Sequence, residues 1–205
     1  MNKKNISLIT NFGCPEKCWY CIWEHHPLKN TCLDLAKDKF EKFLIENKEL
    51  GKFSVSGGGD CLYKFNEHLD FWDFIFYLKQ KHNMLLDIHS RTKYYNDSFW
   101  KNINKLVISS DTLIDCRDYI NYIKTLCKVR ITHVVTDKTT IEKAAEYIEY
   151  CDQNKLQLTF KQLSLYNDNG MYKLLKEKFK ERFYLDSGDY NIYFMPNNLI
   201  SDKFI

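Results

Sequence analysis

Three cysteines in one short loop, Cys14, Cys18 and Cys21, are the side chains of this chain best suited to chemistry. They are spaced C-x3-C-x2-C within Asn11-Phe-Gly-Cys-Pro-Glu-Lys-Cys-Trp-Tyr-Cys-Ile-Trp. Cysteine thiolates hold iron–sulfur clusters, and a cubane cluster normally takes four of them. A loop that offers three thiolates therefore leaves one iron free to bind something other than protein.

A glycine run, Ser56-Gly-Gly-Gly-Asp60, is the second motif. Glycine lacks a β-carbon, so its backbone can approach a ligand closely and can adopt positive φ. Many turns after strands also contain such a run, so the run alone does not indicate a ligand.

Together the two motifs resemble those of the radical S-adenosylmethionine (SAM) superfamily, which carries a CxxxCxΦC loop and a downstream GGE-type motif. Tyr20 is the aromatic residue before the last cysteine. The resemblance implies that Cys14, Cys18 and Cys21 ligate three irons of a [4Fe–4S] cluster, and that SAM chelates the fourth. One electron from this cluster would cleave SAM to methionine and a 5′-deoxyadenosyl radical, which abstracts hydrogen from a substrate.

The resemblance also implies which residues bind SAM. Backbone groups of Gly57, Gly58 and Gly59 would meet the SAM amino group. Asp60 stands where the family usually has Glu. Its side chain is one methylene shorter, so we expect backbone recognition more than direct contact of this carboxylate with the ammonium. Tyr20 would offer its backbone carbonyl to the adenine amino group.

Two residues farther along the chain resemble other SAM contacts. Ser109, in Ser-Ser-Asp111, is similar to a serine after the fourth strand that helps to hold SAM, although Ser and Asp there also suit a helix cap. Arg130 begins the fifth strand and would reach the SAM carboxylate, a contact that suits a guanidinium; simple solvation is the alternative. Residues near strand ends are candidates for substrate contacts, with ordinary packing as the alternative: His89, Arg91, His133, Lys161 and Gln162.

A structural zinc site is the rival interpretation of the cysteine loop, with His25 or His26 as a fourth ligand. Zinc ligands more often come in C-x2-C pairs, and a zinc site would not explain the glycine run. The other cysteines are scattered, which favours buried reduced thiols that act as small hydrophobic residues. These are Cys32, Cys61, Cys116, Cys127 and Cys151.

The elements that must position these motifs alternate between strand and helix. The predicted strands are Ile6–Thr10, Phe53–Ser56, Met84–Ile88, Leu106–Ser109, Val129–Val135 and Leu156–Leu163. Helices are predicted from Thr31 (a capping box with Asp34), from Asn66, over Asp97–Asn102, around Cys116–Ile123, around Ile141–Ile148 and over Met171–Lys180. This alternation predicts βαβ units, hence an α/β fold with a parallel sheet. Six units are fewer than the eight of a closed barrel, and the resemblance implies a partial (β/α)6 TIM-like barrel.

Parallel α/β proteins build their sites at the carboxyl ends of strands. The cysteine loop follows the first predicted strand, and the glycine run follows the second. His89–Thr92 and Ser109–Asp111 follow the third and fourth. The motifs therefore converge on one kind of position, independently of the resemblance.

We expect one domain over residues 1–205, with a core of about 1–165 and a C-terminal part over 166–205. That part would hold a helix and a possible hairpin of Phe183–Leu185 with Tyr190–Phe194. The net charge is +3 without a basic stripe, so nucleic acid is not indicated. No segment approaches the roughly 20 apolar residues of a membrane span, and no signal-peptide core begins the chain, so we expect no membrane association and a cytoplasmic location.

The substrate stays open at this point. A small molecule is one option, as in the 7-carboxy-7-deazaguanine synthases, which act on a deazapurine precursor; their Trp-Cys-Asp-Thr loop ending is Tyr-Cys-Ile-Trp here. A protein that receives a glycyl radical is another. Peptide modification would normally bring further cluster cysteines or a recognition domain, and neither is visible. The electron donor would be a flavodoxin or a ferredoxin, and the alternative from another class is a non-catalytic zinc or iron–sulfur module.

Overall fold

Strands and helices alternate along the computed structural model of this chain, which describes residues 4–21, 33–56, 59–111, 113–162, 169–182 and 192–195. The strands are β1 (Lys4–Ile9), β2 (Leu50–Ser56), β3 (Leu85–His89), β4 (Lys105–Ser109), β5 (Lys128–Val135), β6 (Gln157–Gln162) and β7 (Ile192–Met195). The helices are α1 (Leu33–Glu46), α2 (Leu69–Lys81), α3 (Asp97–Trp100), α4 (Arg117–Ile123), α5 (Ile141–Asn154) and α6 (Met171–Lys178). Short 3₁₀ turns cover Phe65–His68, Ile114–Cys116 and Lys180–Arg182.

The strands pair in parallel and in chain order. β2 lies beside β1 and β3, and β6 lies beside β5 and β7. The order in the sheet is β1 to β7. The predicted fold class, an α/β partial barrel with parallel strands, is confirmed for the six strands β1 to β6.

The chain divides into two compact units, Met1–Leu106 and Val107–Ile205. In the first unit, β2 alternates strictly between buried and half-buried residues, and Phe53 and Val55 are fully buried. Helix α2 buries Trp72, Ile75 and Leu78, which are three residues apart and share one face. This packing fixes the carboxyl ends of β1, β2 and β3, from which the motif loops start.

In the second unit the core is formed by the inward residues of β5 and by β6, whose first four residues are all buried. Helix α5 begins where the Thr140 hydroxyl accepts a hydrogen bond from the Lys143 amide at 3.2 Å. It ends at Asn154, and the next residue, Lys155, adopts a left-handed conformation with φ of 54°. Buried residues of this helix include Ala144, Tyr147 and Ile148.

The C-terminal strand β7 overlaps the second arm of the predicted hairpin, Tyr190–Phe194. β7 pairs with β6 in parallel, Leu158 opposite Ile192, and so extends the sheet. The other predicted arm, Phe183–Leu185, and the predicted cap at Thr31 lie outside the described residues. None of the helices in the described ranges is long and apolar enough to cross a membrane.

Candidate functional site

The cysteine loop leaves β1 and presents three thiols that form no disulfide. The side chains of Cys14, Cys18 and Cys21 are all part-exposed. The amide of Cys21 donates to the carbonyl of Cys18 at 2.9 Å, which closes a tight turn between the second and third thiols. Between them, the rings of Trp19 and Tyr20 meet edge to face with centroids 5.4 Å apart. The thiols are therefore accessible, and an aromatic pair lies beside them.

The last glycine of the run supports the cysteine loop directly. Gly59 forms a parallel bridge with Gly13, and the amide of Asp60 donates to the Gly13 carbonyl at 2.7 Å. Gly59 has φ of +109°, and a β-carbon added there would overlap the Gly13 carbonyl. Only glycine fits this close approach. Gly57 and Gly58 lie outside the described residues.

Asp60 ties the glycine run to the loop after β3. Its carboxylate is buried, with 4% of the residue exposed. One oxygen accepts from the Leu62 amide at 2.9 Å and the Ser90 hydroxyl at 2.6 Å. The other accepts from the amides of Arg91 at 2.6 Å and Thr92 at 3.0 Å. A carboxylate offers about four acceptor positions, so these four donors occupy them.

Arg91 connects the loop after β3 to the cysteines. Its Nη1 atom donates to the Sγ atom of Cys18 at 3.1 Å, in a part-buried setting. The loops after β1, β2 and β3 are thus joined through Gly13 with Gly59, Asp60 with Arg91, and Arg91 with Cys18. The convergence predicted for these three loops is what the first unit shows.

The electrostatics of the loop disfavour three bare thiolates. Burial raises the pKa of the Cys14 thiol, the Glu16 amide hydrogen bond lowers it, and the negative charges of Asp60, Cys18 and Cys21 raise it further. The negative charges of Asp60, Cys18 and Cys21 therefore oppose ionisation of the Cys14 thiol. A positively charged metal group bound to the sulfurs would relieve this repulsion.

These residues fit a [4Fe–4S] cluster by their donor chemistry. Three thiols on one accessible loop match the thiolate ligation of such clusters, and one position remains for a non-protein ligand. No group of three or more His, Cys, Asp or Glu side chains within the described ranges is arranged to hold a metal ion, so the fit rests on the type and spacing of the donors. His25 and His26, the zinc ligands of the rival interpretation, lie outside these ranges.

Three of the scattered cysteines are buried and form no disulfide, as predicted: Cys61, Cys116 and Cys151. Burial raises the pKa of Cys61, whose thiol donates to the carbonyl of His89 at 3.2 Å. Cys127 is part-exposed, which differs from the prediction, and Cys32 lies outside the described residues.

In the second unit, a neutral hydrogen-bond network surrounds the segment after β4. The carbonyl of Ser110 accepts from the hydroxyl of Tyr147 at 3.0 Å and lies 3.1 Å from Nδ1 of His133. A carbonyl only accepts, so Nδ1 carries the proton and Nε2 accepts from the Thr139 hydroxyl at 3.1 Å. Burial lowers the pKa of His133 to about 4, despite the opposing hydrogen bond to Ser110. His133 is thus neutral at physiological pH.

The other predicted residues of the second unit lie along β4, β5 and β6. Ser109 is the last residue of β4, at its carboxyl end. Arg130 is the third residue of β5, and its Nε donates to the Oε1 atom of Gln157, the first residue of β6, at 3.1 Å. Lys161 and Gln162 end β6, and burial lowers the pKa of Lys161. Arg130 therefore lies toward the amino ends of these strands, whereas sites in parallel sheets form at the carboxyl ends.

No protein-family model and no curated protein matches the sequence. Solved structures do match it. SuiB of Streptococcus suis bound to precursor peptide SuiA aligns with a TM-score of 0.68 and 15% identity, over 94% of this chain and 48% of SuiB. SuiB bound to SAM aligns at 0.64 and 16% identity, over 95% of this chain and 47% of SuiB. The protein anSMEcpe with bound AdoMet and Kp18Cys peptide aligns at 0.62 and 18% identity, over 87% of this chain and 61% of anSMEcpe.

SuiB and anSMEcpe are radical SAM enzymes. This chain shares their fold, an α/β partial barrel with parallel strands. It spans about half the length of SuiB and about three fifths of the length of anSMEcpe.

Sequence reasoning missed several residues of the site. Ser90 and Thr92, which anchor Asp60, belong to the segment His-Ser-Arg-Thr that the sequence predicts after the third strand, but nothing in that segment identifies Asp60 as their partner. Tyr147 lies on a helical face of ordinary core residues, and nothing in the sequence marks its bond to Ser110.

Proposed function

We propose that this chain is a radical SAM enzyme in which Cys14, Cys18 and Cys21 hold a [4Fe–4S] cluster. When bound, such a cluster supplies the electron that cleaves SAM to methionine and a 5′-deoxyadenosyl radical, which abstracts hydrogen from the substrate. The observation that carries the proposal is the C-x3-C-x2-C loop at the carboxyl end of β1, in a chain with the radical SAM fold.

The residues of the first unit would hold the cysteine loop and SAM. The bridge between Gly13 and Gly59 fixes the start of the loop. The Asp60 carboxylate already accepts four hydrogen bonds within the protein, so we assign recognition of the SAM amino group to the backbone of the glycine run. The backbone carbonyl of Tyr20 would accept from the adenine amino group. The rings of Trp19 and Tyr20 would keep water from the cluster. Such exclusion of water affects the reduction potential of the cluster.

From the second unit we propose Ser109 as a SAM contact, because it is the last residue of β4. The carbonyl of the next residue, Ser110, is held by hydrogen bonds from Tyr147 and His133. We do not keep Arg130 in this role. Its bond to Gln157 and its position near the start of β5 support a role within the sheet.

The substrate class we propose is a polypeptide. SuiB is bound to precursor peptide SuiA, and anSMEcpe to the Kp18Cys peptide. These two peptide complexes favour a peptide or a protein partner over a deazapurine precursor. A flavodoxin or a ferredoxin would supply the electron.

Two measurements test the function. Anaerobically reconstituted protein should be brown and contain four irons and four sulfides per chain, whereas a variant with all three loop cysteines replaced by alanine should contain none. Colourless protein with one zinc per chain would support the non-catalytic module instead.

The substrate class is tested with an extract from cells of the source organism grown in heavy water. The extract is dialysed, and each fraction is added to enzyme, SAM and dithionite. The fraction retained on dialysis should transfer deuterium to 5′-deoxyadenosine. Digesting that fraction with a protease and removing the small peptides released should abolish this transfer. Deuterium transfer from the dialysable metabolites alone would contradict a polypeptide substrate.

A further inference from the structure

The guanidinium of Arg91 contacts a sulfur of the cysteine loop, that of Cys18. The Nη1 atom of Arg91 lies 3.1 Å from Sγ of Cys18, within hydrogen-bond distance of a sulfur acceptor. Arg91 is not a neighbour of Cys18 in sequence; the two residues are 73 positions apart. The contact therefore depends on the loop after β3 being held against the loop after β1.

Asp60 holds the backbone from which this guanidinium extends. Its carboxylate accepts from the amides of both Arg91 and Thr92, and from the hydroxyl of Ser90. The amide of Asp60 in turn bonds to Gly13, one residue before Cys14. Asp60 is thus a positioning residue that fixes the Arg91 backbone relative to the cysteine loop.

We propose that Arg91 sets the reduction potential of the cluster through its hydrogen bond to Cys18. This inference rests on the proposed function, because it requires Cys18 to be a cluster ligand. Hydrogen bonds to the sulfurs and the local net charge are among the factors that set the potential of iron–sulfur clusters. The guanidinium is always charged in proteins. Arg91 therefore favours the reduced cluster, which carries one more negative charge than the oxidised one.

The negative charge of Asp60 acts in the opposite direction, but it is shared among four donors within the protein. The guanidinium of Arg91, in contrast, donates directly to the Cys18 sulfur. Removing that charge should make the cluster harder to reduce. SAM cleavage needs the reduced cluster, so the same contact would help an ordinary cellular donor to start the reaction.

The test is a redox titration of the reconstituted cluster without SAM, followed by electron paramagnetic resonance. We expect Arg91→Met and Arg91→Gln to lower the equilibrium constant for one-electron reduction about tenfold, a fall of about 59 mV in midpoint potential. Arg91→Lys, which keeps the charge but not the planar fork, should lower it less. Arg117→Met is the matched control, because Arg117 is an exposed arginine paired with Glu146 in the second unit, and its midpoint should equal that of wild type.

Iron and sulfide content is measured in every variant, so that failure of the inference and failure of the proposed function give different results. Wild-type protein that holds no cluster would overturn both. A full cluster with an unchanged midpoint in Arg91→Met or Arg91→Gln would overturn the inference alone. So would an unchanged midpoint with weakened SAM binding, since Arg91 would then serve the SAM carboxylate.

Cluster assembly itself decides the case in which the neutral variants cannot be titrated. If both are folded by circular dichroism but lose the cluster while Arg91→Lys keeps it, the charge next to Cys18 is required and the contact is supported. Loss of the cluster from all three variants would overturn the inference, because the residue would then act only through the shape of the loop.

Discussion

Lowering the pH should destabilise the second unit through one buried histidine. Burial holds the pKa of His133 at about 4, below its ordinary value of 6.5. Between these two values the unfolded chain binds a proton at this position and the folded chain does not. The stability that the neutral ring contributes is therefore present above the unfolded pKa and is lost as the pH falls toward the folded one.

The size of the effect follows from the two pKa values. The full difference corresponds to about 3 kcal/mol, and a change from about pH 7 to about pH 5 removes about 2 kcal/mol of it. His133 is 2% exposed, so solvent does not screen the penalty appreciably. Protonation would also place a proton on Nε2, which accepts from Thr139 in the folded protein.

The assay is urea unfolding of the apoprotein, kept reduced, at about pH 7, about pH 6 and about pH 5. His133→Asn keeps a donor for the Ser110 carbonyl, and we expect it to be less stable than wild type at neutral pH. Because asparagine does not titrate, this variant should lose about 2 kcal/mol less stability than wild type on acidification. Tyr147→Phe is the matched control. It removes the other bond to Ser110, costs about 1 kcal/mol at every pH, and keeps the pH dependence. Equal pH dependence in wild type and His133→Asn would refute the assignment of a buried neutral imidazole.

Three further outcomes are expected. Replacing any one of the three loop cysteines by alanine should abolish cluster assembly, whereas Cys116→Ala should retain iron; equal iron loss on changing Cys116 would contradict the three-ligand assignment. Gly59→Ala should lower the free energy of unfolding by about 2 kcal/mol or more, because a side chain is strained at φ of +109° and overlaps the Gly13 carbonyl. Thermal melts and iron content measure this effect, and a variant as stable as wild type would argue against the close approach of Gly59 to Gly13. Gly58→Val should weaken SAM binding at least tenfold, about 1.4 kcal/mol, with the cluster intact, and unchanged affinity in titrations would remove the glycine run from the SAM site.

The order of the elements could be predicted because each has a strong local signal. Within β2, Phe53–Ser56 alternate between apolar and small polar residues, and α2 repeats large apolar residues on one face. The element ends were less accurate. The helix expected from Asn66 begins instead as a 3₁₀ turn at Phe65 and becomes α-helical at Leu69. Such ends depend on a few hydrogen bonds that no periodic pattern encodes.

The C-terminal strand shows what local signals leave open. Tyr190–Phe194 suggested a hairpin because the preceding Asp-Ser-Gly-Asp favours a turn. Part of it forms β7, which pairs in parallel with β6. A short β-rich segment does not by itself specify the strand with which it pairs, and the edge of β6 that it meets exists only in the folded sheet.

At the site, residue types were easier to predict than their partners. The three cysteines stand out by spacing alone. The position of Gly59 could be predicted too, but the group it approaches is the backbone of Gly13, 46 positions earlier in the sequence. For Asp60 the sequence predicts backbone recognition of SAM more than contact through the carboxylate, and nothing in it identifies the loop after β3 as the partner of that carboxylate. These partners are brought close by the parallel sheet, so they cannot be read from neighbouring residues.

The central claim is that the cysteine loop supports reductive cleavage of SAM. The measurement that tests it most directly is chromatography of the quenched reaction of reconstituted protein with SAM and dithionite, without substrate. Slow release of 5′-deoxyadenosine and methionine in equal amounts is predicted, with none from Cys18→Ala. Absence of 5′-deoxyadenosine from protein that holds a full cluster and binds SAM would contradict the claim.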